Sequence, residues 1–177
     1  MRPQVGGVGD LMKAWIGLAG LALVLAPLAK AQSREPDLLA IGAGAYNVLH
    51  ERKEAEIRLE YRFSYRFLYI IRPIVGVLAT DKATVYPYAG FRFDAQIGHI
   101  VLTPEAAVGY WSTNAGKQLG GAIEFKTGGE IAWRFSDNSR LGFLFDHISN
   151  AGIYKKNPGV EQAMLMYSIP LNELFGR

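Results

Sequence analysis

The chain has 177 residues, of which 50% are hydrophobic, 12% aromatic and 20% charged, with no Cys and a net charge of +3. That length and composition fit one domain and exclude disorder, collagen-like repetition, a disulfide framework and a thiolate metal site. Three scattered histidines without HxxxH-type spacing give no zinc site. Lys and Arg alternate with Glu instead of forming a stripe, which argues against nucleic acid as a partner.

From Met12 the sequence reads MKAWIGLAGLALVLAPLAKAQ. Lys13 is a short positive start, 14–26 is apolar, and Ala29-Lys30-Ala31 is an A-x-A cleavage site before Gln32. The apolar run is too short for a membrane-spanning helix, which needs roughly 20 residues. Residues 1–11 read as an upstream extension. We therefore expect 1–31 to be extension and signal peptide, and 32–177 to be one exported domain.

Beyond the leader, apolar and polar residues alternate with a period of two, the signature of half-buried strands. In the run 54–63, Glu56, Arg58, Glu60 and Arg62 take one face while Ile57, Leu59, Tyr61 and Phe63 take the other. Similar runs cover 38–48, 68–79, 84–95, 98–111, 119–135, 140–149 and 160–169. Together they predict an all-β fold, an eight-stranded antiparallel transmembrane β-barrel. Tyr46, Tyr69, Tyr86, Tyr88, Trp111, Trp133 and Tyr167, near strand ends, are expected to form its interfacial girdles. A secreted lipocalin-like barrel is the competing architecture, because alternation does not say which face points inward. Glu56, Arg58, Glu60, Arg62, Glu124 and Arg134 read as a hydrogen-bonded lumen rather than a pore, since an eight-stranded interior is filled by side chains. His50 and His99 read as surface residues.

The chemistry concentrates in Asp146-His147-Ile148-Ser149-Asn150-Ala151-Gly152 and the following Asn157-Pro158-Gly159-Val160-Glu161. A serine esterase needs a hydroxyl nucleophile, an imidazole that takes its proton, and a carboxylate that orients the imidazole. His147 and Ser149 are two apart on a strand and so share a face. A hairpin would return Glu161 beside His147. Leu141, Phe143 and Phe145 share the parity of His147, and Ala163, Leu165 and Tyr167 that of Glu161, so in a membrane barrel the triad lies on the lipid-facing wall. With both termini periplasmic, the seventh strand ends at Ser149 on the external side, where a lipid-facing charge costs roughly 0–1 kcal/mol.

These residues resemble the outer-membrane lipid A 3-O-deacylases. His147-Ile148-Ser149-Asn150-Ala151 is similar to that family's His-x-Ser-Asn-Ala signature, and Asn157-Pro158-Gly159 to its following Asn-Pro-Gly. Leu59-Glu60-Tyr61-Arg62, Arg72-Pro73, Tyr88-Ala89-Gly90 and Ile123-Glu124-Phe125 extend the similarity over nearly the whole exported domain. The resemblance implies a carboxylic ester hydrolase of the bacterial outer membrane that removes the 3-position hydroxyacyl chain of lipid A. Ser149 would be the nucleophile, His147 the base and Glu161 the orienting acid. The oxyanion-stabilising region would fall on Asn150, Gly152 and Asn157. The resemblance implies no cofactor and no metal; outer-membrane phospholipases often carry Asn where Glu161 stands and rely on calcium. The implied partner is lipopolysaccharide in the outer leaflet, whose phosphate or sugar acids Lys155 and Lys156 could meet. A homodimer is left open. On the residues alone, two alternatives remain: a non-enzymatic small outer-membrane barrel acting in structure or adhesion, and an outer-membrane phospholipase.

Overall fold

The computed structural model describes residues 35–174; the predicted leader at 1–31 lies outside the described residues. Eight long strands follow one another: β1 (Leu38–Tyr46), β2 (Glu54–Arg62), β3 (Ile71–Thr80), β4 (Thr84–Phe93), β5 (Ile100–Tyr110), β6 (Ile123–Arg134), β7 (Arg140–Ser149) and β8 (Val160–Pro170). Ala95–Ile97 continues β4 and Ser112–Thr113 continues β5. Every strand pairs antiparallel with its chain neighbours, and β8 closes onto β1 from Pro170↔Leu38 to Gln162↔Tyr46. The result is a closed barrel with no free edge. A short helix, α1 (Leu171–Leu174), follows β8, and the Leu171 N–H donates to the Asp37 carbonyl at the mouth that holds both ends of the described chain.

The predicted runs map onto these strands one for one, with two informative differences. The run 68–79 begins late, at Ile71, because Leu68 and Tyr69 adopt left-handed φ angles of 44° and 69° and form a turn. The run 119–135 begins at Ile123, because Leu119 is fully buried and caps the barrel interior from a loop.

Strand parity sorts the side chains into two environments. The inward set carries paired charges among apolar residues such as Leu78, Leu144 and Met166: Arg58 lies 2.6 Å from Asp146 and 2.8 Å from Glu56, and Arg62 lies 2.6 Å from Glu60 and 2.5 Å from Glu130. Lys126 pairs with Glu105, and Tyr88 donates to Glu60 at 2.7 Å. The outward set is apolar, with Ile57 66% and Leu165 62% exposed beside Ile41, Leu59, Val77, Phe143 and Phe145. Each such side chain would be worth about 1.5–3 kcal/mol if removed from water, so this wall belongs in lipid. The charged interior and apolar exterior overturn the lipocalin-like alternative, whose apolar face would point inward. Among the described residues no helix is long and apolar enough to cross a membrane; the strands do so.

The girdle expectation needs correction. Tyr69, Trp133 and Tyr167 are exposed, whereas Tyr46, Tyr86, Tyr88 and Trp111 are buried inside the barrel. Tyr46 and Tyr86 have inward parity on β1 and β4, and both rings lie against Trp111, at 5.8 Å and 5.6 Å between centroids. These aromatics plug one end of the lumen instead of meeting a membrane interface. The expectation of a hydrogen-bonded lumen holds for Glu56, Arg58, Glu60 and Arg62, buried and ion-paired. Glu124 is buried, but neither of its carboxylate oxygens meets a hydrogen-bond partner among the described residues, and Arg134 sits half-buried at a mouth, bonded to Asn138.

Candidate active site

The site forms at the plugged end of the barrel, on the outer wall of β7 and β8. The alternation of β7 turns Leu141, Phe143, Phe145, His147 and Ser149 outward, and that of β8 turns out Glu161, Ala163, Leu165 and Tyr167. Sheet register sets Glu161 directly opposite His147, and the His147 Nδ1 to Glu161 Oε1 distance is 3.1 Å. A carboxylate only accepts, so Nδ1 carries the proton in this bond and Nε2 is left as a base. Ser149 stands two residues along the same face, half-buried, in register with Phe125 of β6. Its hydroxyl makes no hydrogen bond among the described residues. Of the three predicted residues, His147 and Glu161 are joined, and Ser149 shares their face with an unengaged Oγ.

The turn 150–159 places the oxyanion candidates unequally. Asn150 is buried, and its Nδ2 donates to the carbonyls of Leu119 and Lys156, each at 2.8 Å. Its Oδ1 accepts from the Gly152 N–H, and its own N–H donates to Asn157 Oδ1, both at 3.0 Å. Asn150 is thus a clamp between two loops, and its side-chain amide is spent on backbone. Asn157 is exposed, and its Oδ1 is held by the Asn150 N–H. Lys155 and Lys156 are exposed in the same turn.

Three neighbours escaped the sequence reading. Gly159 has a φ of +58°, and a Cβ there would lie 2.6 Å from His147 Cε1 and 3.1 Å from Nε2, so its missing side chain is the space the imidazole occupies. The signal available was Pro158-Gly159, which reads as a turn and says nothing of a ring beside it. Lys117, from the loop between β5 and β6, is lowered by burial from the ordinary lysine value, and the charge of Glu161 opposes that lowering. His50 approaches Glu161 from the loop between β1 and β2. Along the wall from Glu161, an apolar groove of about 610 Å³ is floored by Gly42 and Ala43 and flanked by Ile57, Leu59, Leu165 and Tyr167. No cluster of metal-ligating side chains occurs among the described residues.

Comparison with known proteins bears on the family and the fold. The family model described as lipid A 3-O-deacylase (PagL) matches residues 44–170. A lipid A deacylase PagL from Bordetella bronchiseptica is 34% identical over 78 residues; the match takes in 44% of this chain but only 40% of the relative. Among solved structures, the outer-membrane enzyme PagL has a TM-score of 0.56 at 19% identity, over 75% of this chain and 99% of that one. Neisserial surface protein A has a TM-score of 0.51 at 15% identity, over 76% of this chain and 96% of its own. At these identities the two structures support the barrel fold, and the family match carries the rest.

Proposed function

The chain belongs to the lipid A 3-O-deacylase family, and from that premise we propose that it is an outer-membrane serine esterase cleaving the ester that holds the 3-position hydroxyacyl chain of lipid A. The observation that carries the reading is the in-register His147–Glu161 pair, 3.1 Å apart on the lipid-facing wall with Ser149 on the same face. Polar catalytic groups on the outside of a membrane barrel are useful only to a substrate that arrives through the lipid. The site lies at the end of the barrel away from Asp37 and α1, which corresponds to the external leaflet when the termini are periplasmic.

In this mechanism Ser149 Oγ attacks the ester carbonyl as its proton passes to His147 Nε2, and Glu161 stabilises the imidazolium that forms. The bond from carbonyl carbon to the 3-oxygen of the sugar then breaks, and that oxygen takes the proton from His147. Water attacks the acyl-Ser149 ester, His147 again accepting the proton, and the C–Oγ bond breaks to release the fatty acid and restore Ser149. The tetrahedral oxyanion needs donors. Asn157 Nδ2 is the candidate side-chain amide, since that of Asn150 is already engaged. The apolar groove beyond Glu161 offers the acyl chain a wall to lie against. No step needs a metal.

The test is mass spectrometry of lipid A from cells with and without the protein, and with Ser149→Ala. Loss of one hydroxyacyl chain only with the unsubstituted protein is expected. An unchanged lipid A acyl pattern, or a change confined to phospholipids, would refute the proposal.

A further inference from the structure

Glu161 has two carboxylate oxygens, and only one is accounted for by the triad. Oε1 binds His147, whereas Oε2 is buried and accepts no hydrogen bond among the described residues. A buried acceptor without a donor is costly. Facing Oε2 at 4.0 Å is His50 Nδ1, with a side chain 53% exposed against 20% for Glu161.

The loop that carries His50 is built onto Glu161 itself. The Val48 N–H donates to the Glu161 carbonyl at 3.1 Å, so the backbone of the loop docks on the very residue His50 addresses. Asn47 turns the chain with a φ of 60°, its Nδ2 donates to the Arg52 carbonyl at 2.7 Å, and the His50 N–H closes back on the Asn47 carbonyl at 3.1 Å. Lys117 Nζ donates to Asn47 Oδ1 at 3.0 Å and so fastens the loop from the opposite side. Glu161 is thus faced by His147 from β7, by His50 from the loop between β1 and β2, and by the charge of Lys117 from the loop between β5 and β6.

We propose that His50 is a positioning residue for the esterase site: its ring, 4.0 Å from Glu161 Oε2, restrains the outer oxygen of Glu161 and so keeps Oε1 on His147 Nδ1. This rests on reading Glu161 as the orienting acid. A carboxylate that rotates about its terminal bond loses His147, and a ring packed beside Oε2 limits that rotation. The restraint is moderate because the His50 side chain is half in solvent.

The experiment uses the full chain in detergent micelles, as wild type, His50→Ala and His50→Gln. The heat-dependent gel mobility of each variant checks that the barrel is assembled. The chain has only three histidines, so their Cε1–H resonances can be followed separately. In His50→Ala, the His147 resonance should move as its carboxylate partner loosens, and kcat should fall about two- to threefold with KM unchanged. His50→Gln, whose amide can donate to Oε2, should return both toward wild type. Superimposable His147 resonances and equal kcat in wild type and His50→Ala would overturn the proposal, as would a loss that His50→Gln does not rescue. A moved resonance in a chain without esterase activity would leave the His50–Glu161 contact standing and remove the triad reading instead.

Discussion

Gly159→Ala tests whether the imidazole occupies the space that the geometry gives it. The added Cβ would sit 2.6 Å from His147 Cε1 and 3.1 Å from Nε2, whereas carbon contacts settle at about 3.5–4.0 Å. The ring would have to retreat by roughly 1 Å. It can do so only by shifting against Glu161, now 3.1 Å from Nδ1. A misplacement of about 1 Å costs on the order of 10²-fold in rate. The φ of +58° adds backbone strain of about 1–2 kcal/mol for alanine, too little to unfold a closed barrel. Gly98→Ala separates the two effects. Gly98 has a φ of +61° with nothing within 4 Å, so it carries the strain without the ring. Steady-state kinetics on micellar lipid A should show kcat about 100-fold down in Gly159→Ala with KM nearly constant, and Gly98→Ala near wild type. Gly159→Ala within twofold of wild type would refute the placement of the ring, and an equal loss in Gly98→Ala would assign the effect to strain.

Within the triad, Ser149→Ala and His147→Ala should each reduce turnover to background while the barrel assembles. Glu161→Ala should leave roughly 10- to 100-fold more activity, because it orients rather than reacts; the same lipid A assay ranks them. Asn157→Ala should lower kcat by about 10²–10³ if its amide stabilises the oxyanion, whereas Asn150→Ala, which frees two carbonyls, should be read out first as greater protease sensitivity of the turn 150–159. At the other mouth, burial raises the Glu35 carboxyl, but the hydrogen bond and charge of Arg72 outweigh it and hold it below its ordinary value. A lowered folded value means that its stabilising contribution is complete above pH 4.5 and is lost as the pH falls through the folded value. Amide exchange around Asp37 should therefore quicken on acidification below that point, and Glu35→Gln should remove the pH dependence.

The barrel was legible because its signal is redundant. Every strand repeats the same alternation, so Ile57, Leu59 and their like predict both the strands and the direction that each side chain takes. The site was legible for a narrower reason: His147, Ser149 and Glu161 owe their common face to the same parity. What parity cannot carry is anything decided between loops. The girdle reading failed for Tyr46, Tyr86, Tyr88 and Trp111 because proximity to a strand end was used where inward parity decides, and these rings meet only when the barrel closes. His50 was read as a surface residue, which its exposure bears out, yet its place beside Glu161 depends on the Val48 N–H reaching β8. Asn150 lay inside the recognised signature, but its duty as a loop clamp follows from the Leu119 and Lys156 carbonyls, which no local pattern announces.

The chemistry on the outer wall depends on a register that the inner wall defends. Glu161 meets His147 because β8 pairs with β7 at that step and no other. A slip of one residue would turn Glu161 into the lumen and Gln162 out to lipid. On the inner face the next step of the same ladder pairs Gln162 with Asp146, and Asp146 is bound at 2.6 Å by Arg58 from β2, with Lys126 of β6 3.8 Å away. Well-packed apolar residues would give a lumen of comparable stability, since buried ion pairs only roughly offset their own desolvation. They would not penalise a slip in the same way. A shifted β7 would leave Arg58 as a buried cation without Asp146, and losing one partner of a buried pair costs about 3–5 kcal/mol. The charged lumen therefore acts on the proposed site without touching substrate: it makes the wrong registers expensive, and the right one sets a carboxylate 3.1 Å from an imidazole on a wall that faces lipid.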